Sequence, residues 1–494
     1  MATPQLCVTV TAPTTAELRE RRDAVADADL IELRLDTVSD PNVAGALAGR
    51  RRPVIVTCRP PWQGGSFTGP EEERHRILGD ALSLGAEYVD LEWRAGFDDL
   101  LARAGGRRVI LSMHDFTGIP ADLPSQVQAM RAAGAEVVKV SVTPKCLADC
   151  VPLLALGADA SKHGSRHSGM VTIGMGDYGV ATRVLPGRFG SAWTYAGALR
   201  DIGQVTASAL LKEYRFRSIT DSTAVYGVVG GSIAHSVSPS MHNAAFGAAR
   251  LDAVYLPFPA ASADDFLALG RAIGISGASV TIPHKVALFD RVDEVYSVAR
   301  RIGAINTIRV VDGKWIGGNT DASGFLHPLL DRVDLKGRRA AVLGAGGAAR
   351  AVVVALASSG CSVRVHARNR AQAEETAAIA SGQAGPWPPE PDSWDLLINC
   401  TPIGMHPRVD ETPVPVDQLT GQVVYDLVYN PPVTRLLREA AARGCHTIGG
   451  LDMLVGQAHE QFEWWTGTKP QSGVMREAAL KRLAEFVRDE NHVV

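Results

Sequence analysis

Two lysines stand where an amine can do chemistry, one on each side of about residue 220. Lys139 closes the apolar run Glu136-Val-Val-Lys139-Val-Ser-Val, and His114 closes an earlier one, Val109-Ile-Leu-Ser-Met-His114. A lysine and a histidine at strand ends suit imine chemistry, in which the amine bonds a carbonyl carbon and the imidazole moves protons. Lys285 ends Ser279-Val-Thr-Ile-Pro-His-Lys285 and is followed by Gly317-Gly-Asn-Thr-Asp321 and the glycine loop Gly344-Ala-Gly-Gly-Ala-Ala349. A glycine loop between a strand and a helix suits a dinucleotide: the glycines let backbone approach a pyrophosphate, and the helix N-terminus supplies amides and positive dipole. Two unrelated reactions on one polypeptide is the expectation.

The elements that must hold these residues differ between the halves. In the front half, β-rich runs recur at 6–10, 30–35, 54–58, 88–92, 109–113, 137–142, 171–174 and 191–195, with amphipathic stretches such as 126–134 between them. Eight strands alternating with helices predict a closed (β/α)8 TIM barrel. Glu32, Arg34, Arg59, Glu92, His114, Lys139 and Arg183 then fall at or just beyond strand C-termini, where barrel enzymes assemble their sites. Each alone has a structural explanation, Glu32 and Arg34 as an interior ion pair for instance. Together at one rim they are costly to bury without use. Residues 216–223 read as a short polar linker to a new strand at 224–229. Beyond it, Ala340-Ala-Val-Leu-Gly344 is strand and glycine turn, and 395–399 and 423–426 continue a doubly wound Rossmann-type pattern. The strand after the glycine loop ends in Ala367-Arg368-Asn369, with no acidic residue for a ribose 2′-hydroxyl and an arginine suited to a 2′-phosphate, which favours NADP(H) over NAD.

At 494 residues the chain exceeds one ordinary core, and a formal net charge of −3 gives no reason to expect nucleic acid or an acidic membrane surface as partner. Seven scattered cysteines, an odd number with several in apolar runs, read as buried reduced thiols. Cys146 and Cys150 lack further ligands at metal-site spacing, so no metal is expected. No apolar run approaches the ~20 residues of a membrane span, nor does the N-terminus resemble a signal peptide, and a cytoplasmic protein is expected.

The segments Glu32-Leu-Arg34-Leu-Asp36, Asp90-Leu-Glu92, Ser112-Met-His114-Asp-Phe, Val138-Lys139-Val140 and Thr172-Ile-Gly-Met-Gly…Thr182-Arg183 resemble type I 3-dehydroquinate dehydratase. The resemblance implies that Lys139 attacks the C3 ketone of 3-dehydroquinate and that His114, oriented by Glu92, moves the C2 proton. It implies that Arg183 clamps the carboxylate, while Glu32, Arg34, Arg59 and Gln204 position hydroxyls and the amine. Arg59 and Arg183 are expected to crowd the lysine and favour its neutral form. That family closes its site with a Ser-Ala-Pro-Gly-Gln lid; here Arg200-Asp-Ile-Gly-Gln204 keeps the glutamine and puts Arg200 at the serine. The back half, with Ser236-Val-Ser238, Val280-Thr281-Ile-Pro-His-Lys285, Asn306, Asn319-Thr-Asp321 and Gly450-Leu-Asp-Met-Leu-Val-Gly-Gln457, resembles shikimate dehydrogenase. That likeness implies Lys285 and Asp321 as the catalytic pair and Ser236 and Ser238 at the substrate carboxylate. Thr281, Asn306, Tyr429 and Gln457 would line the substrate pocket, with Gly344, Gly346, Gly347, Ala348, Arg368, Asn369 and Thr401 at NADP(H).

The implied division is 1–218 for the barrel, 224–335 for substrate binding with helices of about 455–494 packing back on it, and 336–454 for the cofactor. The product of the first implied reaction, 3-dehydroshikimate, is the substrate of the second, which yields shikimate, as in the bifunctional enzymes of plant-type shikimate pathways. A dehydrogenase for quinate, and a catalytically dead sensor of the same ligands, are the rival readings.

Overall fold

The computed structural model describes residues 5–162, 169–198, 202–330 and 332–491. It divides into two compact units, 1–223 with 259–274 and 224–258 with 275–494.

In the first unit, β1 (Gln5–Val10), β2 (Leu30–Arg34), β3 (Val54–Thr57), β4 (Tyr88–Glu92), β5 (Val109–Asp115), β6 (Val137–Val142), β7 (Gly169–Gly174) and β8 (Trp193–Ala196) form a parallel sheet in the order β7-β6-β5-β4-β3-β2-β1-β8. Between β7 and β8, Ala192 N–H donates to Met170 O at 2.8 Å, and Ser191 Oγ accepts from Thr172 N–H at 2.8 Å. The sheet is thereby nearly closed. The expected strands are all present, with ends shifted by one or two residues. β5 runs through His114 to Asp115, paired to β6 as far as Asp115 opposite Val142.

The barrel interior follows from the two-residue period of strands. Cys7, Leu30, Ile55, Ile110, Val137, Val171 and Trp193 form an apolar plug. Two residues further along the strands the same face carries Thr9, Glu32, Thr57, Asp90, Ser112 and Lys139. Two further on it carries Arg34, Arg59, Glu92 and His114. Lys139 and Glu32 therefore lie inside their strands, not at the ends, one tier below His114. The stretch 216–223 is less polar in place than in sequence: Phe216–Ser218 is a 3-10 turn, and Phe216 and Ile219 are buried.

The second unit holds two sheets. In one, β9 (Ala224–Gly230), β10 (Ala253–Pro259), β11 (Gly277–Val280), β12 (Glu294–Val295), β13 (Thr307–Val311) and β14 (Lys314–Gly318) are ordered β10-β9-β11-β13-β14-β12. Helix Gly450–Thr466 and the C-terminal helix Val474–Asn491 contribute Phe462, Trp465, Met475 and Leu483 to its core beside Tyr226 and Tyr255. In the other, β15 (Arg339–Leu343), β16 (Ser362–His366), β17 (Gln383–Ala384), β18 (Leu396–Asn399), β19 (Val423–Asp426) and β20 (His446–Gly449) pair in parallel, ordered β17-β16-β15-β18-β19-β20. That is the 3-2-1-4-5-6 order of dinucleotide folds, with its switch point between β15 and β18. All seven cysteines are free. Among the described residues no helix is long and apolar enough to cross a membrane.

Asp426, at the end of β19, is fully buried and accepts from Asn399 Nδ2 (2.9 Å), Val428 N–H (3.1 Å) and Thr434 Oγ1 (2.6 Å). Burial nonetheless pushes its pKa up from 3.8 to about 6. A carboxyl raised on folding stabilises fully below its unfolded pKa, and that contribution is lost as pH rises through the folded one. Asp426→Asn should therefore gain about 2 kcal/mol relative to wild type between pH 4 and pH 7, at about 1.4 kcal/mol per unit. Urea melts of both proteins at the two pH values would show it; a constant difference would refute it.

Candidate functional sites

In the barrel, Lys139 Nζ lies 3.1 Å from Asp90 Oδ2 and 3.6 Å from Glu32 Oε1, all three nearly fully buried. The ring of Tyr195 faces the amine, its centroid 4.2 Å away. The nearest charges around Lys139 are thus acidic, and the expected crowding by arginines is replaced by a carboxylate cradle. Glu32 is fixed by Thr9 Oγ1 (2.9 Å) and Thr57 Oγ1 (3.0 Å). Burial works against ionisation of Asp90, but Arg59 first and then Lys139 outweigh it and hold its carboxyl well below the usual range. Arg59 donates to Asp90 (2.9 Å), Glu92 (3.2 Å) and Ser112 Oγ (3.2 Å), a position that makes it a brace.

Glu92 does not hold His114. Its oxygens go to Arg59 and to Arg74, which enters fully buried from the helix Glu71–Ser83. His114 is held by Gln63, whose Oε1 is 3.1 Å from Nδ1 and 2.8 Å from the histidine N–H. Arg34 makes two hydrogen bonds to Asp36, at 2.8 and 2.7 Å, and Asp36 also accepts from Ser66 N–H. Arg183, in the helix Val180–Val184, is buried, donates to Ile202 O (3.1 Å), and has no carboxylate partner among the described residues. Burial alone pulls its pKa down to about 10. A buried guanidinium without a counter-ion fits an anionic ligand. Gln204 packs its amide against Gly197; Arg200 lies outside the described residues.

In the second unit Lys285 donates to Asp321 Oδ2. Asn306 Nδ2 donates to Asp321 Oδ1 at 2.8 Å and lies 3.3 Å from Gln457 Oε1, while its Oδ1 accepts from Thr320 N–H at 2.8 Å. Lys285, Asp321, Asn306 and Gln457 are therefore joined directly. The helices Asp321–Leu330 and Gly450–Thr466 can meet there because position 324 is glycine: a Cβ would stand 2.7 Å from Gln457 N. Ser238 N–H lies 3.3 Å from Ser236 Oγ at the start of the helix Ser238–Ala248, and Thr281 N–H donates to Val229 O. Tyr429 packs against the core that includes Val237 and Leu451.

At the switch point, Gly344 has φ of +101° and a Cβ there would be 3.1 Å from Thr401 Cγ2. Gly346 has open space where a side chain would be, and it precedes the helix Gly347–Ser358, beginning Gly347-Ala348, without a side-chain cap. Unmet helix N–H groups beside open backbone suit a pyrophosphate, and exposed Arg368 beyond β16 suits a 2′-phosphate. The residues present fit NADP(H). Asn369 also shapes the fold, since its side chain caps the helix Arg370–Ala378 through Gln372 N–H. Among the described residues no His, Cys, Asp and Glu groups converge as for a metal ion.

Family models match along most of the chain: type I 3-dehydroquinase at residues 6–221, shikimate dehydrogenase substrate binding domain at 228–308, and shikimate 5′-dehydrogenase C-terminal domain at 450–480. A chloroplastic bifunctional 3-dehydroquinate dehydratase/shikimate dehydrogenase of Arabidopsis thaliana is 34% identical over 477 residues, 89% of this chain and 78% of the relative. A shikimate dehydrogenase (NADP(+)) of Moorella thermoacetica is 46% identical over 270 residues, 51% of this chain and 92% of the relative. A shikimate dehydrogenase solved with NADP+ matches with a TM-score of 0.50 and 37% identity, over 54% of this chain and 97% of its own.

Proposed function

This chain belongs to the bifunctional 3-dehydroquinate dehydratase/shikimate dehydrogenase family, and from that premise we propose which of its residues carry the two reactions. The chain is a lyase and an NADP-dependent oxidoreductase of the shikimate pathway, converting 3-dehydroquinate to 3-dehydroshikimate and that product to shikimate. The observation that carries the residue assignment is one lysine–carboxylate cluster in each unit, buried in the barrel and partly buried in the second unit.

In the barrel, Lys139 attacks the C3 ketone, whose oxygen leaves as water, and the resulting iminium ion acidifies the C2 proton; after elimination, water hydrolyses the iminium and frees the enone and the amine. Asp90 stays charged and orients the amine; Glu32, 3.6 Å from Nζ, is the group left to take its proton. His114 removes the C2 proton and returns it to the departing C1 hydroxyl. Arg183 binds the substrate carboxylate, and Arg59 with Glu92 and Arg74 holds the frame. Asp36 fixes Arg34 for the ring hydroxyls, with Gln204 at the mouth.

In the second unit, NADPH held at the glycine loop would supply the hydride for the C3 carbonyl. Lys285 donates a proton to the developing alkoxide, and Asp321, braced by Asn306, directs the amine. Ser236 and Ser238 take the carboxylate; Thr281, Tyr429 and Gln457 take the ring. Gly344, Gly346, Gly347, Ala348, Arg368, Asn369 and Thr401 hold the cofactor. The division at 1–218, 224–335 and 336–454 belongs to this reading. So does a reducing compartment, the cytoplasm, which seven unpaired thiols support.

The intact chain given 3-dehydroquinate and NADPH should show enone absorbance, NADPH oxidation and shikimate. Absence of NADPH oxidation, or faster turnover of quinate with NAD, would overturn the reading.

Gly347 offers a finer test, since a Cβ there would stand 3.0 Å from Cβ and Cδ of Lys285. Gly347→Ala must displace the lysine stem by a few tenths of an ångström. Reductase kcat should fall about tenfold or more, as small misplacements of catalytic groups do. Dehydration by the same sample should be unchanged. An unaltered kcat would show that the lysine is not held by this contact.

A further inference from the structure

Gln63 belongs to no regular strand or helix that would point it into the barrel. It ends the 3-10 turn Pro61–Gln63 and precedes Gly64, at φ of +75°, and Gly65. The turn is tightly fixed. Gly65 N–H donates to Pro60 O, Phe67 N–H to Arg59 O and Ser66 N–H to Asp36 Oδ2, each at 3.0 Å. A Cβ on Gly64 would stand 2.3 Å from the Phe116 ring, and one on Gly65 2.0 Å from Arg59 O. The amide of Gln63 then meets both backbone groups of His114. Oε1 accepts from its N–H at 2.8 Å and Nε2 donates to its carbonyl at 3.3 Å.

These two bonds decide which end of the amide is oxygen, so the atom 3.1 Å from His114 Nδ1 is an acceptor. Arg59 NH1 also approaches Nδ1, at 3.4 Å, but its two hydrogens have nearer acceptors in Glu92 and Ser112, each at 3.2 Å. Nδ1 must then carry the proton. We propose that Gln63 is the positioning residue for His114, a neutral amide that locks the ring in the tautomer whose Nε2 is free to accept a proton. The proposal deepens the reading of His114 as the base and rests on it.

A neutral partner has a consequence for pH. His114 faces Lys139 on the adjacent strand β6, Arg34 at the end of β2 and Arg59 just beyond β3, with Asp90 the carboxylate acting on it and Glu92 spent on two arginines. Its own neighbour Asp115 is turned to Thr117 and Gly118. Burial first, then these cations, pull its pKa well below the ordinary value. A base is active when unprotonated, so activity is lost as pH falls through that pKa, and a depressed pKa sets the loss at low pH. A carboxylate at position 63 would stabilise the imidazolium and raise the limb.

The test uses the full-length chain labelled with 15N-histidine, with the His114 signals assigned by their absence in His114→Asn. Wild type should show Nδ1 protonated and Nε2 bare at neutral pH; the opposite tautomer overturns the proposal. In Gln63→Glu, the His114 titration and the acid limb of dehydration kcat/KM should both move up by about one pH unit or more. An unmoved titration overturns it, even if the variant is inactive. Reductase activity of the same samples reports that the chain is folded. If His114→Asn still dehydrates at the wild-type rate, the reading of His114 as base fails instead, and the two failures stay distinct.

Discussion

Lys139→Met should abolish dehydration, lowering kcat by a factor on the order of 10^4 or more, as loss of a covalent nucleophile does. It should leave reduction of 3-dehydroshikimate unchanged. Methionine keeps the length of the stem and its packing in the barrel while removing the amine. Asp90 then loses a partner at 3.1 Å but keeps Arg59 at 2.9 Å and Ser112, so its charge is not stranded. Glu32 keeps both threonine hydroxyls. The barrel should therefore fold, and the second activity on the same polypeptide verifies that without a separate control. Borohydride added with 3-dehydroquinate should attach ligand mass to wild type at residue 139 and none to the variant. A variant that still dehydrates, or a wild type whose adduct maps elsewhere, removes the front-half assignment.

The distinction between what sequence reveals here and what it does not is physical. Strand runs were legible because barrel strands buried on both faces are apolar for most of their length. The point where the interior turns from plug to mouth was not, since it depends on the two-residue period counted from a register that only neighbouring strands define. Lys139 thus read as the end of a run, although it sits mid-strand in the lower polar tier. Asp90 was visible as the residue two before Glu92, on the same strand face. Its claim on Lys139 needed the placement of β6.

Side-chain pairing was harder still. The resemblance to type I 3-dehydroquinate dehydratase implied Glu92 as the partner of His114. The competitor that takes it, Arg74, lies in a helix opening Glu71-Glu72-Glu73, and such a charged stretch reads as a solvated face. Gln63 had no periodic signal at all, being placed by a Pro-Pro-Trp-Gln-Gly-Gly turn whose path depends on what it packs against. Asn369 carried a signal that was available: an Asn followed three residues later by Gln372 at the start of a helix is a capping pattern. The back half was legible in more detail because its residues sit at the ends of elements, where motif and position coincide.

Lys285→Met should lower kcat for reduction by about 10^3, within the range that a positioned proton donor contributes, with a smaller change in KM for 3-dehydroshikimate. The asymmetry follows from the contacts. Asn306, Thr320 and Gln457 hold one another without the lysine, so the ring-binding side of the pocket survives its loss. Asp321 keeps Asn306 at 2.8 Å and the first turn of its own helix, whose positive end favours the carboxylate. Methionine also retains the stem packed against Gly347, so the glycine loop is not released. What disappears is the donor facing the oxygen on which charge develops, an interaction that matters in the transition state and little in the bound ground state. Asp321→Asn should fall less, because the amide keeps its place beside Asn306 while directing the amine poorly. Initial rates with both substrates varied would separate kcat from KM. Equal losses in binding and turnover, or a variant of full activity, would mean that Lys285 only anchors the substrate or the loop, and that the proton comes from another group.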